Sequence, residues 1–143
     1  MKRAIASLVV FASMLVLVLA PNARAGEDKR CTNATLEGPY GAISNGTVFG
    51  QGLTAQVGIW NFDGNGNAAL AGTNVSEDKG VQHVTDTGTY TVNSDCTGSS
   101  VIGVRTFDFV IIDNGQEILQ IATLAQPRRV VTWVLQRQFP RQD

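Results

Sequence analysis

From Gly38 to the end of the chain, apolar residues alternate with polar ones at period two, and no ten-residue window carries them at helical spacing. Glycine, asparagine and aspartate interrupt the alternation at intervals near a dozen residues, which is strand-and-turn punctuation. The first strand is expected over 38–44, followed by a turn at Asn45-Gly46 and a loop or short irregular edge strand over 45–54. A second strand covers 55–62, with Val57, Ile59 and Asn61 on one face and Trp60 and Phe62 on the other. Asp63-Gly-Asn-Gly-Asn67 is a hairpin signal, because Asp-Gly and Asn-Gly supply the positive φ values of tight turns. Strands at 67–76 and 81–93 come next, the latter interrupted by a bulge near Gly88. The remaining strands are expected at 97–104, 106–113, 116–124 and 129–138. Asp113-Asn114-Gly115 gives the clearest two-residue hairpin turn, and 125–128 a further one.

Eight short strands with hairpin-length connections predict an all-β fold, a single antiparallel up-and-down barrel of about eight strands. A β-sandwich is the alternative, but its Greek-key path needs some long connections. An outer-membrane barrel would need strands of about 9 to 11 residues and an apolar outer side, whereas Thr, Asn and Ser are frequent here. In the sixth strand Phe107, Phe109 and Ile111 share one face and Asp108, Val110 and Ile112 the other. The eighth is apolar on both faces from Val130 to Leu135, so its outer side needs a cover. A homo-oligomer contact through this C-terminal strand and the Val110/Ile112 face is one such cover.

Before the strands, Met1-Lys2-Arg3 precedes an uncharged apolar run to Ala20 and small residues at Ala23 and Ala25, which predicts a signal peptide over 1–25. The expected organisation is then an N-terminal extended arm at 26–36, a barrel domain at 37–139 and a polar tail at 140–143, with no membrane span after cleavage. Removing 25 of 143 residues leaves 118, enough for one domain. Three of the eleven basic residues leave with the signal, so eight face twelve acidic ones and the formal charge becomes −4. That balance, with no basic cluster beyond Arg128-Arg129, argues against nucleic acid as a partner. Export to an oxidising compartment, secreted or periplasmic, makes a structural Cys31–Cys96 disulfide the expected state of the two cysteines. Asp86 to Gly98 joins a threonine-rich strand to the turn carrying Cys96, and so fixes both register and covalent framework.

Candidate chemistry is sparse. Asp63, Asn65 and Asn67 alternate like the start of a calcium loop, but Ala68 and Asn74 stand where the loop glycine and bidentate glutamate belong, so a plain hairpin turn is expected and no metal. His83 is the only histidine available as a base, and no Gly-x-Ser-x-Gly elbow is present. Asp108, Arg105 and Glu117 are solvated charges if they face outward and site residues if they face inward, and the outward reading is preferred because Phe107 and Phe109 are the better core residues. Tyr40, Trp60, Tyr90 and Trp133, with His83 and Asp108, are the candidate lining of an interior pocket. The three Asn-x-Ser/Thr sequons, at Asn33, Asn45 and Asn74, receive no function.

The order Cys31, Gly38-Pro-Tyr-Gly41, Phe62-Asp-Gly-Asn-Gly66, Gly88-Thr-Tyr-Thr-Val-Asn-Ser-Asp-Cys-Thr-Gly98 and Arg137-Gln138 resembles a group of small, uncharacterised secreted bacterial proteins. The resemblance covers most of 31–138 and implies an exported bacterial protein with a structural disulfide, but no activity. More distantly, the architecture is similar to allene oxide cyclase-like and lipocalin-like barrels, without a shared site motif. The expected function is an exported non-catalytic barrel that binds a small apolar molecule or a protein partner, without a cofactor. A cyclase- or isomerase-type barrel enzyme and a surface protein without ligand are the alternatives.

Overall fold

The computed structural model describes residues 30–123 and 128–139. The expected signal peptide and tail lie outside them, as do the first four residues of the arm, 26–29, and most of the turn at 125–128. The chain forms a closed antiparallel barrel of eight strands joined in sequence order. These are β1 (Glu37–Val48), β2 (Gly52–Asp63), β3 (Asn67–Ser76), β4 (Gly80–Val92), β5 (Thr97–Ile102), β6 (Arg105–Ile112), β7 (Glu117–Ala122) and β8 (Arg129–Arg137). Pairing of β1 with β8, from Tyr40 opposite Arg137 to Val48 opposite Arg129, closes the barrel and leaves no free edge.

Alternation decides what lies inside. Tyr40, Ala42, Ser44 and Val48 of β1, Gln56, Trp60 and Phe62 of β2, and Val131, Trp133 and Leu135 of β8 are buried, while their sequence neighbours face out. An aromatic column runs through the interior: Tyr40 and Tyr90 pack edge-on to Phe62, Phe62 stacks on Trp60 at 6.0 Å, and Trp60 meets Phe107 and Trp133 at 5.5 and 5.8 Å. Each such ring buries about 150–250 Å² of its surface, so the column accounts for much of the core.

Three local expectations are corrected. Residues 45–54 are not a loop, because β1 continues through Asn45 and Gly46 to Val48 and the turn lies at 49–51. At Gly46 any side chain would run into the backbone at Val130, so this glycine permits close strand approach instead of a turn. Gly88 marks no bulge either: its pairings with Ala68 and Ile102 sit in unbroken ladders, and a Cβ there would strike the Val101 carbonyl. The β6–β7 connection is four residues long, not a two-residue hairpin turn, with Asp113, Asn114 and Gly115 all in the left-handed region and Gln116 following.

Nor is the end of the arm extended. Asn33–Thr35 forms a 3-10 turn that places Leu36, fully buried, across one end of the barrel. Tyr90 Oη donates a hydrogen shared between the carbonyls of Asn33 and Leu36 at 3.0 and 2.9 Å, and Asn33 Oδ1 accepts from the Val92 amide at 2.8 Å. Arg137 donates to the carbonyls of Thr35, Glu37 and Gly115 and to Tyr40 Oη, with its guanidinium 4.7 Å above the Tyr40 ring. The Cys31–Cys96 disulfide ties the same arm to the β4–β5 turn. This end is closed.

Candidate functional site

The opposite end is open. There the β1–β2, β3–β4 and β5–β6 turns surround a cavity of about 240 Å³ that reaches into the barrel. Its wall includes Ser44, Gln56, Asn74, Gln82, Asp86, Arg105 and Arg129, and its apolar part includes Phe107, Val131 and Trp133. Strand alternation puts these polar groups inside: Gln56 has the parity of Trp60, Arg105 that of Phe107, and Arg129 that of Trp133.

Three buried donors at this cavity lack an acceptor. Gln56 and Trp133, each 4 % exposed, have unpaired Nε2 and Nε1 atoms, and the half-buried Arg129 has an unpaired Nε. Below them, Trp60 Nε1 and Gln120 Nε2 are also unpaired. A buried donor without a partner costs about 1–3 kcal/mol, so a cluster of them is a standing free-energy deficit that a bound acceptor would relieve.

The charges are organised too. Arg105 Nη2 donates to Asp86 Oδ2, the one ion pair among the described residues. Arg129 has no such partner, and burial, followed by the nearby Arg105 charge, holds its guanidinium below the ordinary arginine value. With Lys79, the lining carries three cations against one carboxylate.

Of the six residues expected to line an interior pocket, Trp133 alone lines this cavity. Trp60 lies beneath the cavity as part of the aromatic column. Tyr40 and Tyr90 belong to the closed end, where burial raises the Tyr90 phenol above its ordinary value. His83 and Asp108 are outside the barrel, exposed on the outward parity of β4 and β6; His83 Nδ1 lies 3.2 Å from Thr73 Oγ1. Arg105 faces inward, against the preferred reading, because it shares its strand face with Phe107. Glu117 is half-buried and accepts from Gln136 Nε2 at 3.0 Å.

The alternating loop at Asp63 is a self-contained turn. Asp63 Oδ1 accepts from the amides of Asn65 and Asn67 and Oδ2 from Asn67 Nδ2, which lowers the carboxyl below its ordinary value, the Asn67 side chain contributing most. Among the described residues no cluster of three or more metal-ligating side chains occurs. No helix there is long and apolar enough to cross a membrane.

No protein-family model, curated protein or solved structure matches this chain. The site must therefore be read from its own chemistry.

Proposed function

We propose that this protein is an exported, non-catalytic barrel that binds a small molecule in its open mouth. The observation that carries the reading is the set of unpaired buried donors, Gln56 Nε2, Trp133 Nε1 and Arg129 Nε, at one end of an otherwise packed interior. Few buried polar groups go unpaired in a native fold, and three of them gathered on one cavity support a site that a ligand completes. The polar lining shifts the expected ligand from a purely apolar molecule to one with an apolar body and acceptor groups. His83 and Asp108, the groups considered for acid–base work, lie away from the cavity, which favours binding over catalysis. The Cys31–Cys96 bridge suits a secreted or periplasmic location.

Native mass spectrometry of the mature protein from its own exported fraction, compared with the denatured sample, tests this. A co-purifying molecule lost on denaturation is the expected result. An apoprotein mass that stays unchanged in extracts of the same compartment would count against it.

A second reading concerns partners. On the outer wall Val110 pairs with Leu119, Leu119 with Val134, Val134 with Ile43, and Ile43 with Val57, an uncharged apolar row across five strands. Ile43 and Val57 are 59 % and 61 % exposed. We propose a second copy of the chain as its cover, since a closed barrel offers no strand edge and must associate through its walls. Sedimentation should show a dimer or higher species that Ile43→Glu dissociates; a monomer at every concentration would remove the idea.

A further inference from the structure

We infer that the mouth ligand is a small carboxylate, its headgroup held by the Arg129 guanidinium and the Trp133 indole N–H and its body resting on the Phe107 and Trp133 rings. This rests on the reading of the cavity as a binding site and adds the ligand's charge and class.

Donor chemistry sets the polarity. An indole N–H and a guanidinium can only donate, so neither Trp133 Nε1 nor Arg129 Nε can be satisfied by another donor. Gln56 Nε2 adds a third donor to the same cavity. Among the described residues the one carboxylate in the wall, Asp86, is engaged by Arg105, so it offers Arg129 no ion pair. A ligand that brings acceptors and negative charge supplies what the unpaired donors of this wall lack.

Charge count sets the class. Arg105 is neutralised by Asp86, which leaves Arg129 as the uncompensated guanidinium among the described residues lining the cavity, and Lys79 stands in the exposed β3–β4 turn. One free guanidinium matches a monoanion, and its planar fork fits the two oxygens of a carboxylate. A dianionic phosphate would ask for a second free cation at the same depth. Volume sets the size: at about 30 Å³ per water-sized group, 240 Å³ holds roughly eight such groups. Butyrate and benzoate are of that order. The adjoining rings give the ligand's body an apolar surface, Phe107 and Trp133 packing edge-to-face at 5.9 Å.

Isothermal titration calorimetry on the mature chain tests the assignment with benzoate and butyrate, their neutral amides benzamide and butyramide, and inorganic phosphate. The carboxylates should bind about tenfold or more tightly than the amides. Arg129→Gln should erase that preference and Arg129→Lys restore part of it. Trp133→Phe should weaken the carboxylates more than the amides, and circular dichroism should show all three variants folded. Amides binding as tightly as the acids would overturn the carboxylate assignment while leaving the cavity a binding site, as would phosphate binding more tightly than either acid. If none of the probes bound at about 10 mM, the carboxylate assignment would fall, and the native mass spectrometry would decide the binding reading separately.

Discussion

At the closed end of the barrel Tyr40, Tyr90, Asn33 and Arg137 each hydrogen-bond to backbone or to one another. At the mouth Gln56, Trp133 and Arg129 occupy the same inward parity and find no acceptor. The same eight strands build both ends, so the difference comes from what is brought to them. The arm brings carbonyls and Leu36 to the closed end, whereas nothing among the described residues brings an acceptor to Gln56 Nε2, Trp133 Nε1 or Arg129 Nε at the mouth. Polar groups inside a barrel are therefore two kinds of feature. Satisfied, they anchor the fold; unsatisfied at an open cavity, they offer donors to something outside the chain.

The largest way to break this contrast is to release the arm. Replacing both cysteines (Cys31→Ser with Cys96→Ser) frees a loop of 65 residues' separation and should lower stability by about 4 kcal/mol in denaturant titration. Benzoate affinity at the far end should change little at temperatures where the variant stays folded. A large loss of affinity in the folded variant would show that the two ends are not independent.

Matched deletions of one polar group at each end sharpen the comparison. Tyr90→Phe removes the hydroxyl that serves the Asn33 and Leu36 carbonyls and should cost about 1–2 kcal/mol. Gln56→Leu removes an unpaired donor of similar burial and should be neutral or stabilising by up to about 1 kcal/mol, while weakening the mouth ligand. Equal destabilisation in the two variants would mean that the mouth donors are part of the fold's own stabilisation.

The smallest effect concerns acid. Asp63 and Asp95 both titrate below the ordinary 3.8, through hydrogen bonds chiefly from Asn67 and from Thr97. A carboxyl with a lowered folded value contributes stability that is present above about pH 4 and is lost as pH falls through the folded value. Both are fully exposed turn residues, so acid should loosen the β2–β3 and β4–β5 turns slightly before the barrel unfolds. Asp63→Asn should flatten that part of the pH profile seen by amide exchange; an unchanged profile would assign the acid sensitivity elsewhere.

The fold was legible because the period-two pattern is strict where the core is aromatic: Trp60 with Phe62, and Phe107 with Phe109 and Ile111, point to the inner face without ambiguity. Gly46 and Gly88 misled, since a glycine that admits a neighbouring backbone looks the same in sequence as one that makes a turn or bulge. The site was mostly hidden. Trp133 is legible as a large residue on a strand and Arg105 as a charge with an outward and an inward reading, whereas Gln56 and Arg129 carry only the signal of parity, which places them with Trp60 and Trp133 as it places Arg105 with Phe107. A polar residue on an aromatic face was the available signal. That Arg105 would pair with Asp86 while Arg129 stayed free depends on register across β4–β8, which no local pattern reveals.

The contrast between the ends is tested most directly by a proton–nitrogen correlation spectrum of the mature protein during a benzoate titration. The chain has two tryptophans, Trp60 and Trp133, so two indole N–H signals report on the interior. The Trp133 signal should shift downfield as its N–H gains an acceptor, together with the side chains of Gln56 and Arg129, while the amides of Leu36, Tyr90 and Val92 stay in place. A Trp133 signal that does not move while closed-end amides do would contradict the assignment of the mouth as the binding site.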